Sequence, residues 1–166
     1  QGLVRVQFAA GLEALSDYRR KHETSRELTR LLSAPLEALA EQVGLVRGDL
    51  RRLQTQVEAR TGQLAGLEAA RLLRDAHALG SGRVVAAQLE PELLDPVAAA
   101  LCAEPDVIAL LGGAQAARAT LLFMRGANVR ADMSALLRAA LPHVGGRGGG
   151  KPDRAGGGGD RVEGLE

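Results

Sequence analysis

The apolar residues of this chain change their period twice. Over residues 3–8, LVRVQF alternates with Val4, Val6 and Phe8 on one face, which predicts a short strand. From Ala10 to Leu32 the recurrence turns helical, with Leu12, Leu15, Tyr18, His22, Leu28, Leu31 and Leu32 along one stripe and Arg19-Arg20-Lys21 read as a solvated face. Pro35 breaks this pattern and suits the first turn of a second helix. From there Leu36, Leu39, Val43, Val46, Leu50, Leu53, Val57, Arg60, Leu64 and Leu67 follow one another at alternating intervals of three and four. Nine of these ten positions are apolar over four heptads, the spacing of a coiled-coil seam. The partner is either the first helix folded back as an antiparallel hairpin or a second copy of the chain, a homodimer. Gly44, Gly48, Gly62 and Gly66 lie off the seam, and each costs a helix about 1 kcal/mol relative to Ala. Such a helix needs packing to persist. It is expected to continue through AARLLRDAHAL and to stop at Gly80-Ser81-Gly82.

Past that hinge the segments shorten. RVVAAQL (83–89) reads as a buried strand, Pro91–Ala103 as a helix with Leu93, Leu94, Val97 and Leu101 inward, and Val107–Leu111 as a strand ending in Gly112-Gly113. Ala119–Met124 is a further strand after a Gly-Gly-Ala-Gln hairpin turn, and Asp132–Leu141 a helix that stops near Pro142. The closing DRVEGLE reads as the first turns of another helix. The expected fold class is α/β in the α+β sense: a long helical hairpin or coiled coil over 10–80, then a small mixed-sheet domain with helices over 81–166.

That domain carries the most unusual stretch of the chain, GGRGGGKPDRAGGGG at 145–159. Nine of its fifteen residues are glycine, with Arg147, Lys151 and Arg154 set among them. It has no side chain able to build a core and is expected to be a loop. A flexible tether and a backbone-lined anion cradle compete as readings, and the spaced cations with Pro152-Asp153 favour the cradle. In that reading the amides of Gly145, Gly146, Gly148, Gly149 and Gly150, with Arg147, Lys151 and Arg154, meet backbone phosphates. Arg118, Arg125 and Arg130 are secondary candidates. The stretch is not a GxxxxGK[ST] loop, because Pro152 follows Lys151, and no G-x-G-x-x-G opens a helix, so nothing points to ATP or NAD.

Charge refines this picture. Lys and Arg number 21 against 20 Asp and Glu, but residues 76–117 hold 1 basic and 5 acidic side chains while 118–166 hold 8 and 5. The C-terminal third thus has a mild cationic footprint. Aromatics make up only 2% of the chain, which argues against a base-stacking platform. A single cysteine, Cys102, excludes an internal disulfide or CxxC zinc site and reads as a buried small hydrophobe. No bilayer-spanning run or signal-peptide pattern is present, so the expected compartment is the cytoplasm, with no membrane partner. His22, His77 and His143 share no metal-ligand spacing, the serines lie in no nucleophile elbow, and Glu90, Glu92, Asp95, Glu104 and Asp106 read as solvated caps. The residues assemble no catalytic group and no metal or cofactor site.

Together, VRVQFAAGLEALSDYRRKHETSRELTRLLSAP, the heptad helix, the α/β module and the closing GGRGGGKPDRAGGGG resemble the C-terminal part of long-form alanyl-tRNA editing proteins, relatives of alanyl-tRNA synthetase. The resemblance covers nearly the whole chain. It implies that residues 1–9 are a strand left from an upstream zinc-dependent editing domain, and that 81–166 is a DHH-associated domain. It further implies that the region binds tRNA(Ala) and dimerises, while zinc and hydrolysis of seryl-tRNA(Ala) belong to the upstream domain, whose HxxxH and CxxxH motifs are absent here. The run DYRRKHETSRELTRLLS favours the editing protein over a synthetase, whose C-terminal domain is the alternative. Arg154 and Gly156 stand where relatives often have Met and Gln. From other classes, a structural coiled-coil module that touches no RNA and a phosphohydrolase domain remain as rivals.

Overall fold

The computed structural model describes residues 4, 8, 10–80 and 82–165. The strand expected over 3–8 lies outside the described residues, apart from Val4 and Phe8, and so does Ser81. Two compact units divide the chain, Gln1–Gln56 and Val57–Glu166.

The first unit holds α1 (Gly11–Leu32) and the N-terminal part of α2 (Leu39–Arg74). Helix α1 ends as its sequence requires. Ser33 turns into the left-handed region at φ 48°, the amides of Ser33 and Ala34 close on the carbonyls of Arg30 and Thr29, and Pro35 follows. Asp17 holds both Arg20 and Lys21, the former at 2.6 Å, so two cations of the basic triplet are tied down along the helix. Of the expected seam, Leu36, Val43, Val46, Leu50 and Leu53 are exposed, and α1 has no buried residue. An intrachain hairpin buried along that seam is therefore not what this unit shows.

In the second unit the seam residues Val57, Leu64 and Leu67 are exposed as well, and the buried residues of α2 are Ala65, Ala69 and Leu72. These three join the core that the helix Pro91–Cys102 and the sheet share, while Leu64 and Leu67 stay outside. The helix stops at Arg74, five residues earlier than its apolar pattern suggests, because His77–Leu79 (β1) pairs antiparallel with β2 (Gly82–Gln88). Pairing to a sheet edge overrides local helical preference here.

The sheet has six strands in the order β1-β2-β3-β4-β6-β5. Strand β2 runs parallel to β3 (Val107–Gln115), the two being joined by α3 (Pro91–Cys102), and every other neighbouring pair is antiparallel. Arg83 fastens the start of β2 to the α3–β3 loop. Its guanidinium donates to both carboxylate oxygens of Asp106, at 3.0 and 2.8 Å, and to Glu104 at 3.2 Å. Strand β3 does not end at Gly112-Gly113. It runs on to Gln115 because those glycines admit close neighbours: a Cβ on Gly113 would stand 2.9 Å from the Leu89 carbonyl oxygen. The hairpin to β4 (Arg118–Arg125) instead turns at Ala116, at φ 52°. Asp132 caps α4 (Met133–Ala140) by accepting from the amides of Ser134 and Ala135.

Each side of the sheet has its own core. On one side Val85, Ala109, Leu111 and Leu122 pack with Leu94, Val97, Ala98 and Leu101 of α3 and with the buried residues of α2. On the other, Ile108, Leu121, Phe123 and Ala155 pack with Met133, Leu137, Leu141 and Val144. Cys102 is half-buried at the first core, and burial pushes its thiol up to about 11.

Candidate nucleic-acid interface

The glycine-rich stretch is not a loop. Arg147–Gly150 forms β5 and Arg154–Gly159 forms β6, joined by a turn at Lys151-Pro152-Asp153, and β6 continues the sheet from β4. Composition hid this, since glycine is disfavoured in strands. At most of these positions glycine is there because a side chain would meet a neighbour too closely. A Cβ on Gly146 would lie 2.1 Å from the Gly158 carbonyl oxygen, and one on Gly159 would lie 1.9 Å from that of Val144.

Pairing decides what the five expected cradle amides do. Gly145 donates to Pro142 at 3.3 Å and Gly146 to Leu141 at 3.1 Å. Lys151 donates to the Arg154 carbonyl at 2.8 Å, so the antiparallel alternation places the amides of Gly149 and Arg147 in the ladder. The same alternation turns those of Gly148 and Gly150 out along the edge of the sheet. The five amides therefore do not converge on one anion, and the cradle is corrected to a strand edge.

Register brings most of the predicted cations together in another way. Leu122 belongs to the α3-side core, so Thr120 and Arg118, two and four residues before it on β4, face the same side. Across the ladder Met124 meets Arg154, Leu122 meets Gly156 and Thr120 meets Gly158, and on β5 Gly149 and Arg147 face Gly156 and Gly158. Arg118, Arg147, Lys151 and Arg154 thus surround a strip of glycine backbone on the α3 side. Arg154 marks that side directly by pairing with Asp95 of α3. Nothing lies within 4 Å of a Cβ built on Gly149, and one on Gly156 would make only ordinary contacts of 3.6 and 3.7 Å. Close packing therefore does not account for glycine at these two positions.

Two of the expected contacts separate from this group. Arg125 faces the α4 side, where its guanidinium donates to the carbonyls of Val129 and Pro152, the latter at 3.1 Å, so it holds the β5–β6 turn in place. Arg130 is exposed in the segment before α4. His143 is exposed and lines a cleft on the α4 side, apart from the cations. Sequence reasoning missed Thr120 and Asp95. The alternation of RATLLFMR carried the signal for Thr120, whereas nothing local relates Asp95 to a strand 59 residues away.

No helix among the described residues is long and apolar enough to cross a membrane. No protein-family profile matches the chain. Curated proteins do. The alanine–tRNA ligase of Methanothrix thermoacetophila is 30% identical over 99% of this chain and 18% of its own length. That of Leuconostoc mesenteroides is 27% identical over 99% of the chain and 19% of its own. The probable chloroplastic/mitochondrial enzyme of Ostreococcus tauri is 29% identical over 95% and 17%. Among solved structures, the C-Ala domain of Aquifex aeolicus alanyl-tRNA synthetase aligns with 53% of this chain and 85% of its own at 18% identity and a TM-score of 0.49. The chain spans about a fifth of the length of these curated relatives, and over that stretch it is homologous to alanyl-tRNA synthetase.

Proposed function

We propose that the chain is the C-terminal, C-Ala-type region of an alanyl-tRNA synthetase, docking on tRNA through the α3 side of its sheet and pairing with a second copy along α2. Similarity along nearly the whole chain to alanine–tRNA ligases favours the synthetase over the free-standing editing protein. One observation carries the docking reading: four predicted cations share one sheet side around glycines at which side chains would find open space. Backbone can approach backbone closely over such a strip, and flanking cations meet phosphates without reading sequence. The exposed run from Leu36 to Leu67 supports the second copy, since an apolar seam of this length gains by burial.

The test is Gly149→Val. Valine suits a strand, and nothing stands in its way, so folding should be unharmed. Retention of tRNA on filters should fall at least tenfold if RNA lies against the glycines. Wild-type affinity in this variant would remove the docking surface from the α3 side.

A further inference from the structure

We infer that the groove between Arg118 and Arg147 holds one phosphate of an RNA backbone and is the gripping end of the proposed docking side. The inference deepens the docking reading and takes its occupant from it.

The two arginines come from strands separated by β6. Thr120, Gly158 and Arg147 form one lateral row, so the Cα atoms of Thr120 and Arg147 stand about two strand spacings, roughly 9–10 Å, apart. Arg118 lies two residues before Thr120 on the same side. Between them is an open groove of about 710 Å³ whose floor is glycine backbone. Gly158 keeps that floor bare, because a Cβ there would lie 2.6 Å from the Ala119 carbonyl oxygen.

Charge in the groove suits an anion. Among the described residues neither Arg118 nor Arg147 has an ion-pair partner within 4 Å. Asp160 also lines the groove and opposes an anion. Arg161 lies next to that carboxylate at the rim: a Cβ on Gly145 would lie 2.8 Å from Asp160 Oδ1 and 3.1 Å from Arg161 Nε. Two lining cations, Arg118 and Arg147, against one carboxylate leave a net positive site. Guanidinium groups on two sides can each offer paired donors to the non-bridging oxygens of a phosphodiester, and the exposed Thr120 hydroxyl adds a further donor. At the opposite end of the strip Arg154 is already held by Asp95, Arg125 faces away, and Lys151 is a single point charge.

The experiment compares the whole chain with an Arg118→Ala/Arg147→Ala double variant and with Lys151→Ala, measuring tRNA(Ala) binding across a salt series and thermal unfolding. In parallel, the arginine Nε–Hε resonances of the wild type are followed during titration with inorganic phosphate. The double variant should bind at least tenfold more weakly, lose between one and two units of salt slope, and melt like the wild type. Lys151→Ala should change affinity less than threefold. If the wild type binds tRNA and the double variant matches it in affinity and slope, the groove assignment falls and the docking reading stands. If the wild type binds no tRNA, the docking reading falls and RNA falls as the occupant. Saturable phosphate shifts at Arg118 and Arg147 would then assign the groove to a free anion.

Discussion

Gly148 and Gly157 face each other across the β5–β6 ladder so closely that a Cβ on Gly148 would stand 2.5 Å from the Cα of Gly157. One residue further on, Gly149 has open space on the other side of the same strand. Adjacent glycines therefore answer to different constraints.

Alanine at these two positions should separate them. Gly148→Ala forces the hairpin apart and should cost about 1–3 kcal/mol, the usual range for overpacking. Gly149→Ala should fall within about 0.5 kcal/mol of the wild type, or stabilise slightly by restricting the unfolded chain. Urea unfolding measures both. A larger loss at Gly149 than at Gly148 would mean that the strand presents its faces the other way round, and equal losses would remove the distinction between the two positions.

The clasp between Arg83 and Asp106 should make stability depend on acid. Hydrogen bonds from Arg83 hold the Asp106 carboxyl below its usual value, so the folded state favours the ionised form. That contribution is complete above the ordinary carboxylate value near 4 and disappears as pH falls through the lower folded value. Asp106→Asn removes it. Unfolding midpoints of wild type and variant should differ by a constant amount above about pH 5 and converge below pH 4. A gap that widens on acidification would contradict the clasp.

Pairing along α2 predicts that Leu50→Asp or Leu53→Asp converts two-chain particles to single chains in sedimentation. Losing a buried leucine and placing a charge in the seam should weaken association by more than about 3 kcal/mol, over a hundredfold. Far-UV circular dichroism of the second unit's sheet should survive, because neither residue belongs to either core. Unchanged sedimentation would place the second copy elsewhere or remove it.

How far the fold can be read from the residues depends on where each signal lies. Helices α1, α3 and α4 are legible because their stripes, prolines and the Asp132 cap are local. The end of α2 is not, since only the pairing of His77–Leu79 with β2 stops a segment whose own pattern continues as helix. Gly112-Gly113 and the 145–159 stretch mislead in the same way. In both, glycine answers to a neighbour close in space and distant in sequence, which composition alone reads as a turn or a loop. The cations were visible at once, but their division was not. Arg118, Arg147, Lys151 and Arg154 share a side through strand register, and Arg125 is lost to backbone carbonyls that no spacing announces.

The outer edge of β5 has a last consequence, for growth of the sheet from molecule to molecule. Unpaired amides and carbonyls at a sheet margin are templates for fibre formation. Here the strand is four residues long, Arg147 opens it and Lys151 follows its end. Two copies laid antiparallel about Gly149 would oppose Arg147 to Lys151, and two laid parallel in register would oppose arginine to arginine. Like charges meet in either arrangement, and ordering bare glycines costs additional chain entropy. The same two cations that would admit a polyanion thus act as gatekeepers against amyloid-like stacking of the protein on itself.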